Sequence, residues 1–159
     1  IEARQLTALP LLRKDFIVDK KQIDEARAAG ADSYLLIVAS LTDAEITEFI
    51  AHGRSLGMEA LVEVLTEDEL RRALKLDIRI LGINNRNLHT LEIDMGRCQR
   101  LADLIPAPRR EELVLVAESG YTTREQLLTL PKYFDAVLMG TGFMQEKDPA
   151  AKLREVFAR

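Results

Sequence analysis

Tryptophan is absent from these 159 residues, and cysteine occurs once, as Cys98. A lone cysteine makes no internal disulfide, so a disulfide scaffold is excluded and a reducing compartment, the cytoplasm, is expected. Cys98 reads as an inert helix residue. Histidine is nearly as scarce, and His52, His89 and Cys98 are too few and too scattered to compose a metal site. No apolar run reaches the roughly 18–20 residues that a membrane span needs, and no signal-peptide pattern is visible. A basic stripe is missing as well: 22 Lys and Arg stand against 26 Asp and Glu, the signs interspersed, for a net charge of -4. Together with the lack of tryptophan, that argues against a nucleic-acid surface.

What is present is the composition of a soluble globular domain, 47% hydrophobic and 30% charged. The length is that of one domain, 1–159, and no linker or low-complexity segment divides it. The opening "IEARQLTA" reads as the tail of a helix already under way. After it one unit recurs. Apolar runs at 9–14, 33–40, 58–65, 78–85, 112–119 and 134–140 predict strands. Amphipathic stretches at 19–30, 41–57, 66–76, 94–105, 122–130 and 148–158 predict helices. Their starts carry recognisable caps: Thr42 with Glu45 three residues on, Thr66, Thr122 or Thr123, and Pro149 at a first helical position. The first of these helices stops on Gly30. Because the strands are continuous rather than alternating in polarity, they predict a parallel sheet covered by helices. A doubly wound open sheet and a (β/α)8 barrel both fit.

In either architecture, function gathers where parallel strands end. The runs here end on polar tips: RK, AS, EV, NNR, ES and GTG. Lys14 closes "LPLLRK" and reads either as a general acid in a pocket or as a lysine snorkelling at a rim. Arg13 and Asp15 have the opposite parity and are expected to face helices or solvent. Glu63 sits between Val62 and Val64, where a carboxylate needs a partner or a wet cavity, so a structural ion pair competes with a functional carboxylate facing a pocket. Asn84 and Arg86 suit substrate oxygens and an anionic group, whereas Asn85 reads as a residue that shapes the turn. Glu118, Ser119 and Gly120 end one strand, and Gly140, Thr141 and Gly142 the next. Such glycine-rich turns read as tight turns or as backbone cradles for an anion.

Taken together, "LPLLRKDFI", "LLIVASL", "EALVEV", "LGINNRNLHTLEID", "VAESGY" and "DAVLMGTGFM" resemble, in order, the strand ends of the indole-3-glycerol phosphate synthase family. The resemblance covers nearly the whole chain. It implies a (β/α)8 barrel and a cofactor-free carboxy-lyase of tryptophan biosynthesis. That reaction closes the indole ring of 1-(2-carboxyphenylamino)-1-deoxyribulose 5-phosphate, losing carbon dioxide and water. By resemblance Lys14 is the general acid and Glu63 the general base, with Asn84 and Glu118 orienting the reacting part. Arg86 would line the anthranilate side, and Ser119, Gly120, Gly140 and Thr141 would lie at or near the phosphate. The partner implied is a small phosphorylated substrate.

The family barrel has eight strands, and about six are counted here, the third through eighth units. The first-strand Glu-x-Lys pair near "SPS", whose lysine shares in the chemistry, is not in this chain. The expectation is a piece of a longer enzyme, its strands at 9–14 and 134–140 presenting open edges. Self-association along those edges, or complementation by the N-terminal part, would follow. A non-catalytic partial barrel acting as a scaffold is the alternative. Another phosphate-binding barrel would not explain Lys14, Glu63 and Asn84 with these neighbours.

Overall fold

A computed structural model describes residues 1–88 and 90–158. His89, one of the two histidines weighed above, lies outside the described residues. The chain divides into two compact units, Ile1–Leu81 and Gly82–Arg159.

The first unit holds helix α1 (Glu2–Leu6), strand β1 (Leu12–Arg13), helix α2 (Lys20–Ala28) and strand β2 (Ser33–Ile37). A short 3-10 turn, Val38–Ser40, leads into α3 (Asp43–Ser55), followed by β3 (Glu59–Val64) and α4 (Glu67–Ala73). The pairs β1–β2 and β2–β3 are parallel, with Arg13 opposite Tyr34 and Ile37 opposite Glu63. The helices begin where side chains satisfy their free N–H groups. Asp19 with Gln22, and Thr42 with Glu45, form reciprocal capping boxes, and the Thr66 hydroxyl accepts from Glu69 N–H. Past the end of α2, Gly30 turns the chain at φ +91°, which a glycine adopts without strain.

Tyr34 is wholly buried, and its hydroxyl donates to the Phe49 carbonyl at 2.7 Å, inside α3. Gly53 makes room for that ring: a Cβ there would stand 2.1 Å from the Tyr34 hydroxyl oxygen. Tyr34 thus fixes which face of β2 looks at the helices. By strand alternation, Leu35 and Ile37 look the other way.

Strand β4 (Ile80–Asn84) runs through the division between the units. The second unit continues with α5 (Arg97–Asp103), α6 (Ala107–Glu111), β5 (Val114–Glu118), α7 (Arg124–Leu128) and β6 (Ala136–Leu138). It ends with α8 (Thr141–Met144) and α9 (Pro149–Phe157). Strands β5 and β6 are parallel, with Glu118 opposite Leu138. Thr123 with Gln126 caps α7, and Pro149 opens α9 behind its N-cap Asp148.

One device appears in both units. Asp32, just ahead of β2, donates its N–H to the Leu11 carbonyl and accepts the Leu11 N–H on its carboxylate at 2.8 Å. Asp135, just ahead of β6, does the same with Leu115. Each aspartate clamps the start of its own strand to the start of the strand before.

All six expected strands and the expected helices are present, trimmed at their ends. The strand at 9–14 shrinks to the two half-buried residues of β1, with Leu9 exposed. Pro10 has no N–H to give to a ladder, which accounts for the late start. The reading of Lys14 as the tip of a buried strand is corrected accordingly. Helices α6 and α8 were not expected from the sequence.

Candidate active site

Glu63 is the charged residue that the sequence placed inside an apolar run, and its side chain is only 3% exposed. Its partner is Lys14, whose Nζ donates to Glu63 Oε2 at 3.0 Å. Alternation explains why these two meet. Arg13 points to the helix layer, donating to the Gln22 carbonyl at 2.6 Å and to Glu25 at 3.2 Å. Lys14, one residue on, therefore emerges on the opposite face. Glu63 pairs in register with Ile37, which lies on that same face, away from Tyr34 and α3. The expected parity of Arg13 and Lys14 is thus observed. The contact brings an amine and a carboxyl group within hydrogen-bond reach of each other, the geometry that general acid–base chemistry asks for.

The second unit places the other candidates at the ends of β4, β5 and β6. Asn84 is buried, and its Oδ1 accepts the Arg86 N–H at 2.9 Å, closing a tight local turn. Arg86 is half-buried; it pairs with Ile93 as an antiparallel bridge, and its Nη1 donates to the Leu91 carbonyl at 3.4 Å. Asn87 N–H also donates to the Glu92 carbonyl at 2.9 Å, and Leu91 stands at φ +62°. Glu118 is fully buried at the end of β5.

Ser119 follows at φ +66° and Gly120 at φ +87°, two consecutive left-handed residues. Ser119 N–H donates to the Leu138 carbonyl at 3.3 Å. Conformation favours glycine at 120, and a Cβ there would come 2.4 Å from Met95 Sδ and 2.8 Å from Ile93 Cγ2, so those exposed side chains would have to move aside. Gly140 and Thr141 are exposed at the turn from β6 into α8. That turn lies close to the one after β5: a Cβ on Gly142 would stand 3.1 Å from the Tyr121 carbonyl oxygen.

The role given to Asn85 by the sequence is too small. This residue is wholly buried, and its carboxamide bonds to three residues on two segments, Ser119 and Tyr121 after β5 and Cys98 in α5. Its neighbours Arg97 and Tyr121 also escaped the sequence reading. Arg97 Nη1 donates to the Asn85 carbonyl at 2.5 Å, and burial pushes the Tyr121 hydroxyl well above its ordinary range, so it stays protonated. The signal that could have flagged Asn85 is the doubled asparagine, since one turn needs only one. Among the described residues there is no group of three or more His, Cys, Asp or Glu arranged for a metal ion, and no helix long and apolar enough to cross a membrane.

The indole-3-glycerol phosphate synthase family model matches residues 1–156. The indole-3-glycerol phosphate synthase of Paracidovorax citrulli (strain AAC00-1) is 49% identical over 158 residues, covering 99% of this chain and 58% of that protein. A multifunctional tryptophan biosynthesis protein of Phanerodontia chrysosporium is 44% identical over 149 residues, covering 93% of this chain and 18% of its own length. This chain therefore spans well under two thirds of the curated relatives it matches. Among solved structures, the 3-hexulose-6-phosphate synthase from Salmonella typhimurium aligns with a TM-score of 0.78 at 14% identity, covering 98% of this chain and 74% of that one. At that identity the likeness is one of fold. It places the six strand–helix units in the (β/α)8-barrel class and decides against the doubly wound alternative.

Proposed function

Since the chain belongs to the indole-3-glycerol phosphate synthase family, we propose that it carries that family's ring closure, with the roles divided as follows. The substrate is 1-(2-carboxyphenylamino)-1-deoxyribulose 5-phosphate and the product indole-3-glycerol phosphate, an intermediate of tryptophan biosynthesis. A carbon–carbon bond forms between the anthranilate ring and the ribulose carbonyl carbon, carbon dioxide leaves the ring, and water leaves the former carbonyl carbon. Loss of carbon dioxide restores the benzene ring; Lys14 supplies the proton to the carbonyl-derived oxygen, Glu63 takes a proton from the carbon next to it as the indole forms, and the hydroxyl leaves as water with that proton. Asn84 and Glu118 orient the reacting part, and Arg86 faces the anthranilate side. Ser119, Gly120, Gly140 and Thr141 receive the phosphate, whose binding energy is spent away from the reacting atoms.

The observation that carries this reading is the 3.0 Å contact between Lys14 and the buried Glu63. A proton donor and a proton acceptor stand side by side. The two neighbouring glycine-containing turns after β5 and β6 support the phosphate end.

Turnover is followed through the indole fluorescence of the product, a clean signal in a chain without tryptophan. The expected result is turnover that falls roughly a hundred- to ten-thousand-fold in Lys14→Ala and in Glu63→Gln. A folded chain without turnover, or a Lys14→Ala variant as fast as the parent, overturns the reading.

A further inference from the structure

Ser119 stands in a conformation that costs an L-residue on the order of 1–2 kcal/mol. A glycine would adopt φ +66° freely. A serine kept there is held by its surroundings, and strain of this kind persists only where neighbours over-determine it. Two bonds pin Ser119, one on each side. Its N–H is tied to the Leu138 carbonyl at 3.3 Å, and its carbonyl accepts from Asn85 Nδ2 at 3.1 Å.

The rest of the Asn85 carboxamide is also committed. The second Nδ2 hydrogen reaches the Tyr121 hydroxyl at 3.2 Å, and Oδ1 accepts the Cys98 N–H of α5 at 3.0 Å. A carboxamide has two donors and an acceptor oxygen, and here both donors and the oxygen are engaged inside the protein. Its backbone is anchored as well: Asn85 N–H donates to the Glu118 carbonyl at 2.9 Å, and the Asn85 carbonyl accepts from Asp94 N–H at 3.0 Å. Fully buried and fully bonded, Asn85 has no group left to touch a ligand. Its influence on a ligand passes through Ser119.

We propose that Asn85 is a positioning residue for the phosphate end of the site, its carboxamide holding the left-handed Ser119–Gly120 turn in the shape that receives the phosphate. This rests on the functional reading above and adds to it a residue that does not itself contact substrate.

The test is equilibrium binding of indole-3-glycerol phosphate and of its dephosphorylated counterpart, indoleglycerol, read by indole emission against a tryptophan-free background. Asn85→Asp keeps the acceptor for Cys98 N–H and removes both donors. It is expected to weaken the phosphorylated ligand on the order of tenfold, and to change indoleglycerol binding little. Tyr121→Phe leaves the Ser119 bond in place and is expected to bind both ligands as the parent does. Asn85→Asp binding both ligands like the parent, or losing both equally, overturns the proposal, the second outcome marking a merely structural role. In the unmodified protein, the side-chain amide resonances of Asn85 are expected to shift with the phosphorylated ligand and not with indoleglycerol. That measurement needs no folded variant, and the absence of a shift also overturns the proposal. A parent chain that binds neither ligand overturns the functional reading itself, and is recognisable because no variant is involved.

Discussion

Burial pushes the Cys98 thiol up to about 11, from an ordinary value of 9.0. The folded protein therefore keeps a thiol proton that the unfolded chain gives up at lower pH. Stability from this group is complete below about pH 9 and is lost as the pH rises towards about 11. The loss is on the order of 2–3 kcal/mol across that window. Urea midpoints through the window are expected to fall more steeply for the parent than for Cys98→Ala; parallel slopes would contradict the assignment. The sequence reading of Cys98 as an inert helix residue agrees with its place in α5, 1% exposed, with its sulfur donating to the Ile83 carbonyl at 3.0 Å. Glu63 was legible for a similar reason: a carboxylate between two valines demands an explanation wherever it occurs. Its partner was not, because Lys14 lies 49 residues away and only the strand register brings the two together. Asn85 was underestimated because a polar residue after a strand looks the same on paper whether it meets water or, as here, three protein partners.

At the scale of elements, strands and caps were read well because their signals are local. Thr42, Thr66, Thr123 and Pro149 all begin helices where the sequence placed them. Helices α6 and α8, of five and four residues, are too short to show a periodicity. The pairing of Gly53 with Tyr34 was equally invisible, and it reverses an ordinary rule. Replacing a helical glycine by alanine commonly stabilises by about 1 kcal/mol. Here the added methyl would collide with a buried ring held by its own hydrogen bond. Gly53→Ala is expected to destabilise by about 1–3 kcal/mol, seen as a lower urea midpoint with an unchanged slope. A rise in the midpoint would mean that the Tyr34 ring yields more readily than its packing indicates.

For the whole molecule, the sequence pattern narrows the class: continuous apolar strands alternating with amphipathic helices leave a doubly wound open sheet or a (β/α)8 barrel. Acidic residues outnumber basic ones, with an isoelectric point near 5.3. Solubility is expected to be least at about that pH and to recover on either side, as turbidity would show. A minimum displaced by more than about one unit would point to charges masked in the folded state. The contact at Gly120 bears on which changes such a chain can take singly. Ile93 and Met95 already fill the space that a side chain at 120 would need, and φ +87° opposes one in any case. A larger residue at 120 is therefore not an independent change: it asks the exposed side chains of Ile93 and Met95 to swing outward, and it asks the backbone to hold a conformation that only glycine takes freely.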